Sequence, residues 1–139
     1  MAKTVATILG IGFLLVGVLG FVAPDVMGMH LSMAHNIVHL VSGALSLWIG
    51  LAGSYSAARS FCIFFGLVYG LLGVVGFVMG EPGPERMFTV IPDQLMLGRM
   101  DHIVHIVLGA LFLIGGLIAR PIVATTTTTR TDVPPEERR

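Results

Sequence analysis

Two stretches decide the fold: "HNIVHLVSGALSLWIGLAG", residues 35–53, and "DHIVHIVLGALFLIGGLIA", residues 101–119. Set one above the other, Ile37, Val38, His39, Gly43, Ala44, Leu45, Gly50 and Leu51 recur 66 positions later. The segments before them correspond too, "VGVLGFV" (16–22) lying over "LGVVGFV" (72–78), and Pro24-Asp25 recurs as Pro92-Asp93. The chain therefore reads as two copies of one helix hairpin. Both copies begin on the same side, so the repeats are parallel and the axis relating them runs along the normal of whatever layer the helices cross.

That layer is a lipid bilayer. Of the 139 residues, 55 % are hydrophobic and 12 % charged, with a mean hydropathy of +0.90. A soluble domain carries about a quarter charged residues. Between Thr4 and Gly80 the only charges are Asp25 and Arg59. A spanning helix needs about 20 apolar residues. The apolar segments predict helices at about 5–23, 34–53, 60–80 and 100–119 in a four-helix membrane domain over 1–120, an all-α bundle. Lys3 resembles the charged start of a signal peptide. However, the apolar run after it is too long and "FVAPD" lacks the small residue of a cleavage site, so the first segment reads as a retained helix. The stretch 121–139, with "TTTTTRTDVPPEERR", is polar and low in complexity, and reads as a disordered tail.

Lys and Arg in the connections set the orientation. Lys3, Arg59, Arg120, Arg130, Arg138 and Arg139 lie on one side, and Arg86 and Arg99 on the other. The expected arrangement is a multi-pass protein of a bacterial inner (plasma) membrane with both termini cytoplasmic. Cys62 is the only cysteine, so there is no intrachain disulfide and no Cys-x-x-Cys metal site.

Glycines recur at intervals of seven: Gly10 and Gly17, Gly43 and Gly50, Gly66, Gly73 and Gly80, Gly109 and Gly116. Seven residues is nearly two turns, so each set forms a stripe. In lipid, helices associate through small residues that let backbones approach. "GLVYG" (66–70) and "GFVMG" (76–80) add the GxxxG spacing, which serves either the internal bundle or a homo-oligomer or membrane-protein partner.

His39, Gly43, Ser46 and Gly50 share a helix face, as do His105, Gly109, Phe112 and Gly116. Both histidines thus point into the bundle near its outer end. His35 and Asp101 lie a turn further out, with Asn36 and His102 within reach. Ionisable groups at this depth face the protein interior, where they find partners. One reading is structural: Asn36, His39, Asp101, His102 and His105 bond across the axis and lock the hairpins together. In that reading Asn36 or Asp101 accepts a bond from a histidine of the opposite hairpin. The other reading is a ligand site in one of three forms. His39 and His105 could hold haem as axial ligands. His35, His39, Asp101 and His105 could give zinc a tetrahedral set. Met27, Met29 and Met33 with His30 and His35 offer soft donors for copper.

The duplicated motif carries a resemblance. "HNIVHLVSG" (35–43) opens the second helix with Asn-x-x-His, and "DHIVHIVLG" (101–109) opens the fourth with a degenerate Asp-x-x-x-His. The chain resembles a family of small bacterial four-helix membrane proteins of unknown function that carry this pair of motifs. The resemblance covers nearly all of residues 5–119. It implies the four-helix topology and marks Asn36, His39, Asp101 and His105 as signature positions, but implies no activity. Where members have an asparagine just before each motif, this chain has "LSMAHN" and "LGRMDH".

Other chemistry is missing. There is no phosphate-binding loop, HExxH or GxSxG, no acid–base–nucleophile set, and no basic patch suited to nucleic acid. The polar residues cluster at the outer end only, against a transport path. The expected function is a structural or interaction module of the membrane without enzymatic activity or cofactor. The alternative is a metal- or haem-binding membrane protein. The longest connection, 81–102, holds three prolines and is expected to lie over the outer mouth of the bundle.

Overall fold

The computed structural model describes residues 1–26 and 28–118. Four helices form the bundle: α1 (Ala2–Leu19), α2 (Met33–Ala52), α3 (Tyr55–Met79) and α4 (Arg99–Ile118). The outer connections carry two small antiparallel ribbons, β1 (Asp25–Val26) with β2 (Met29–His30), and β3 (Phe88–Ile91) with β4 (Leu95–Leu97). All four helices are long and apolar enough to cross a membrane. The shortest, α1, has 18 residues, which is about 27 Å and close to the thickness of a bilayer's hydrocarbon core. Leu15, Trp48, Leu51 and Val78 each show more than 60 % of their surface. Lipid, not water, suits such a surface.

The glycines bring each hairpin's two backbones into contact. A Cβ on Gly10 would stand 2.7 Å from the Leu47 nitrogen, and one on Gly66 would stand 2.8 Å from the Leu113 nitrogen. Gly17 meets the Asn36 carbonyl and Leu40, and Gly73 meets the His102 carbonyl and Ile106. Gly50 faces Lys3 and Thr7, and Gly116 faces Arg59 and Ile63. Each close approach in the first hairpin thus has a counterpart in the second. The GxxxG glycines of α3 serve the same hairpin: Gly66 and Gly70 face α4, Gly76 takes the His102 ring and Gly80 meets the Arg86 carbonyl.

Between hairpins the core is thin. At the inner end Ala2 and Ala6 of α1 pack with Ala58 and Cys62 of α3, all four fully buried. The Cys62 thiol reaches the Ala2 carbonyl at 3.5 Å. Above them Phe13, Tyr69 and Phe112 fill the centre. Ser46, also fully buried, donates to the Ala6 carbonyl at 2.8 Å. Removing that interhelical bond with Ser46→Ala is expected to lower stability by about 0.6 kcal/mol, and by no more than about 1.7. Detergent-denaturation curves of the two proteins check this.

Several sequence expectations are corrected. The first helix spans Ala2–Leu19 rather than 5–23. Its last turn gives way to turns in which the Val22 and Ala23 amides donate to the Leu19 carbonyl, and Pro24 follows, which disfavours a helical residue before it. The third helix begins at Tyr55, not at 60, because the Ser54 side chain accepts from the Ala57 amide and caps it. The inner link between α2 and α3 is therefore only Gly53 and Ser54. The 81–102 connection holds the β3–β4 ribbon, with a three-residue turn at Pro92–Gln94 in which Asp93 takes φ 59°, a left-handed conformation aspartate tolerates. Leu95 and Leu97 turn inward and Met96 outward, and Ser32 at the start of α2 donates to the Gln94 carbonyl at 2.7 Å. The tail assignment, 121–139, lies outside the described residues.

Candidate functional site

Helix α2 starts at Ser32, whose hydroxyl oxygen accepts from the His35 amide. Helix α4 starts at Gly98, whose amide donates to Asp101 Oδ2 at 2.8 Å. An acid at the third helical position reaching back to the capping residue satisfies a donor the helix leaves open, and its charge suits the positive end of the helix dipole. These two starts set the depth of the histidines.

Three of them come together. The His35 ring stacks on His39 with centroids 4.5 Å apart and on His105 at 6.1 Å. His105 stacks on Tyr69 at 5.3 Å, Tyr69 meets Phe13 at 5.2 Å, and Phe13 meets His39 at 5.4 Å. The five rings close a circuit around the bundle axis. Phe13 corresponds to Tyr69 in the repeat, and His39 to His105. His35 corresponds to Asp101, so the fifth ring comes from the first hairpin alone.

Hydrogen bonds fix two of the imidazoles. His105 Nδ1 lies on the Asp101 carbonyl and His35 Nδ1 on the His30 carbonyl. A carbonyl only accepts, so each Nδ1 carries a proton, and in the neutral ring Nε2 then keeps its lone pair. By contrast, Asp101 Oδ1 and His39 Nδ1 are buried with no hydrogen-bond partner. Unmade bonds of this kind at low dielectric cost about 1–3 kcal/mol each.

The ring circuit separates two clefts. One, of about 180 Å³, lies between α1 and α4. The other, of about 210 Å³, lies between α2 and α3, with Leu95 and Leu97 of β4 lining it. His35, His39 and His105 line both. Asp101 and Met29 face only the first, and Tyr69 and Ser42 only the second, where the Tyr69 hydroxyl donates to Ser42 Oγ at 3.3 Å.

The remaining expected site residues lie elsewhere. Asn36 packs on Gly20 and donates to the Leu31 carbonyl at 3.3 Å. His102 packs on Gly76 and donates through Nε2 to the Arg86 carbonyl at 2.8 Å. Both are plugs inside their own hairpins. Neither Asn36 nor Asp101 accepts from a histidine across the axis, as the structural reading supposed: Asn36 Oδ1 is unpartnered, and Asp101 accepts from the Gly98 amide. Between His39 and His105, the pair of the haem form, stands His35, which stacks against each of them. His35, His39, Asp101 and His105 are neighbours, yet no three His, Cys, Asp or Glu side chains among the described residues form a group that could hold a metal ion. Of the copper set, Met33 is exposed and His30 turns to Asp25 at 3.2 Å. Met27 lies outside the described residues.

Sequence reasoning missed Phe13 and Tyr69. Each stands three residues after one stripe glycine and four before the next, Phe13 between Gly10 and Gly17 and Tyr69 between Gly66 and Gly73. That spacing puts both on the packed face. The stripes hold a second signal. Seven residues outward from Gly43 and Gly109 stand Asn36 and His102, which marks them for the hairpin interior.

Residues 3–118 match the family described as Domain of unknown function (DUF4383). No curated protein and no solved structure matches the chain.

Proposed function

We propose that this chain, which belongs to the DUF4383 family, a domain of unknown function, is a multi-pass membrane protein that binds a small molecule at its outer histidine set and does no chemistry on it. Its setting in this reading is a bacterial plasma membrane with both termini cytoplasmic, which the six-to-two division of Lys and Arg supports. One observation carries the binding reading. Asp101 Oδ1 and His39 Nδ1 are buried and unpartnered on residues that line the same cleft. A purely structural lock would join the hairpins through these atoms. The hydrogen bonds that do link the two halves near the outer end, Ser32 to Gln94 and Tyr69 to Ser42, use other groups.

The metal- or haem-binding alternative keeps one supporting observation. An imidazole whose Nδ1–H is held by a carbonyl, as in His105 and His35, presents its Nε2 in the way metal-binding histidines do.

Native mass spectrometry and elemental analysis of protein purified in mild detergent on a histidine-free tag separate these readings. We expect a bound molecule of a few hundred daltons that is lost from His39→Ala and His105→Ala, with no stoichiometric iron, copper or zinc. A stoichiometric metal lost from the same variants would favour the metal reading. Protein that is folded, empty and metal-free, with both variants losing stability, would return the set to a structural role.

A further inference from the structure

The cleft between α1 and α4 has a polar end and an apolar end. Asp101 and His105 stand at its outer end, and Val104 and Leu108 continue down the same helix. From Asp101 to Leu108 is about 10 Å of helix. Leu9 and Phe13 form the facing wall on α1. A cavity of about 180 Å³ exceeds the space of one ion and has room for a single ring.

The cleft reaches the surface of the bundle at Gly12. Gly12 lines it, is exposed, and has nothing within 4 Å of where a Cβ would be. The corresponding residue of the second repeat, Val68, lines the other cleft with a branched side chain. The gap at Gly12 faces the side on which lipid would lie.

The hydrogen-bonding atoms at the polar end mostly accept. A carboxylate at Asp101 offers Oδ1 as an acceptor, and a neutral imidazole at His35 or His105 offers the Nε2 lone pair, because each Nδ1–H points to a carbonyl. A ligand that completes these bonds has to donate. A planar head would also meet the Phe13 and His39 rings, which line the cleft with centroids 5.4 Å apart.

We propose that the α1–α4 cleft binds a lipid with a planar, hydroxyl-bearing head and one apolar tail, of the hydroquinone class, entering sideways past Gly12. The head donates to Asp101 Oδ1 and to an imidazole Nε2, and the tail follows Leu108 and Leu9. This inference rests on the binding reading above and adds the chemistry of the ligand.

The test is binding of decyl-hydroquinone, kept reduced under nitrogen, to the full chain in nanodiscs, measured by equilibrium dialysis and by the shift in thermal unfolding. The probe for comparison is decyl-benzoquinone, which has the same tail and ring size but no hydroxyl protons. The reduced form is expected to bind at least about tenfold more tightly, the effect of one hydrogen bond to a charged acceptor. Asp101→Asn is expected to erase most of that preference, and Gly12→Leu to prevent binding while leaving the unfolding temperature of the empty protein unchanged. Equal affinity for both forms, or undiminished binding by Gly12→Leu, would overturn the inference. If neither form binds but purified protein still carries another small molecule, the ligand class is wrong and the binding reading stands. If neither binds and the protein carries nothing, both fail.

Discussion

Gly109→Val should separate α3 from α4 and unfold the second hairpin under conditions that leave the native protein intact. A Cβ at this position would lie 2.5 Å from the Gly70 nitrogen, 2.6 Å from the Gly70 Cα and 2.9 Å from the Gly66 carbonyl oxygen. All three are backbone atoms, so no side chain can rotate out of the way. The helices themselves have to part, and the close contact at Gly73 and Gly116 then loosens with them. Overpacking in a core typically costs about 1–3 kcal/mol, and a backbone clash with no rotamer to relieve it belongs at or above the upper end. Gly12→Val is the control, because a Cβ there meets nothing. It should stay within about 0.5 kcal/mol of the native protein. Cys62 supplies a second readout. It is the only cysteine and is fully buried, so its modification by a small membrane-permeant thiol reagent should quicken greatly in Gly109→Val and stay slow in Gly12→Val. An unchanged unfolding temperature and a still-protected Cys62 in Gly109→Val would show that the two backbones do not meet there.

Substitutions at Asp101 should divide stability from binding. Asp101 Oδ2 holds the Gly98 amide at 2.8 Å and opens α4, while Oδ1 is buried without a partner. Asp101→Ala removes the cap and leaves a buried N–H unsatisfied, which should cost about 1–2 kcal/mol. Asp101→Asn keeps an oxygen for Gly98 and cannot carry a charge, whose burial with one oxygen unpartnered would be expensive, so the empty Asn variant should be at least as stable as the native protein. Thermal unfolding of the ligand-free proteins reads this directly. A loss in Asp101→Asn as large as that in Asp101→Ala would mean the carboxylate's charge stabilises the fold rather than waits for a ligand.

The bundle was legible because its cause is periodic. Four apolar runs of spanning length, glycines at sevens and a duplicated motif each point to the same four-helix answer. The helix ends were less legible because they depend on single capping groups. Ser54, two residues after α2 ends, starts α3 five residues before the apolar run implied. The ribbons were hidden for a different reason. "FTVIPDQLML" carries β-branched residues around a Pro-Asp turn, which is a hairpin signal, but in a chain this apolar the helical pattern drowns a strand of three or four residues.

The candidate site was half legible. Helical spacing put His35, His39 and His105 on the inward side, and they do meet. It did not separate them from Asn36 and His102, which follow His35 and Asp101 by one residue. One residue along a helix turns the side chain by about 100°, enough to move it from the bundle axis to the glycine groove of its own hairpin. Phe13 and Tyr69 went unnoticed because aromatic residues in an apolar run give no pattern of their own. Their place follows from the neighbouring glycines.

The inner-end contact of Ala2 and Ala6 with Ala58 and Cys62 bears on how the molecule is made. A ribosome delivers α1 and α2 first, and their glycine grooves let them pair at once. The buried alanine face of α1 gains its partner only when the chain has been extended past residue 62. Until then the leading helix carries an unclaimed flat face of small side chains beside the nascent chain. The seam between the hairpins at this end is thus a contact that cannot close before α3 has been made.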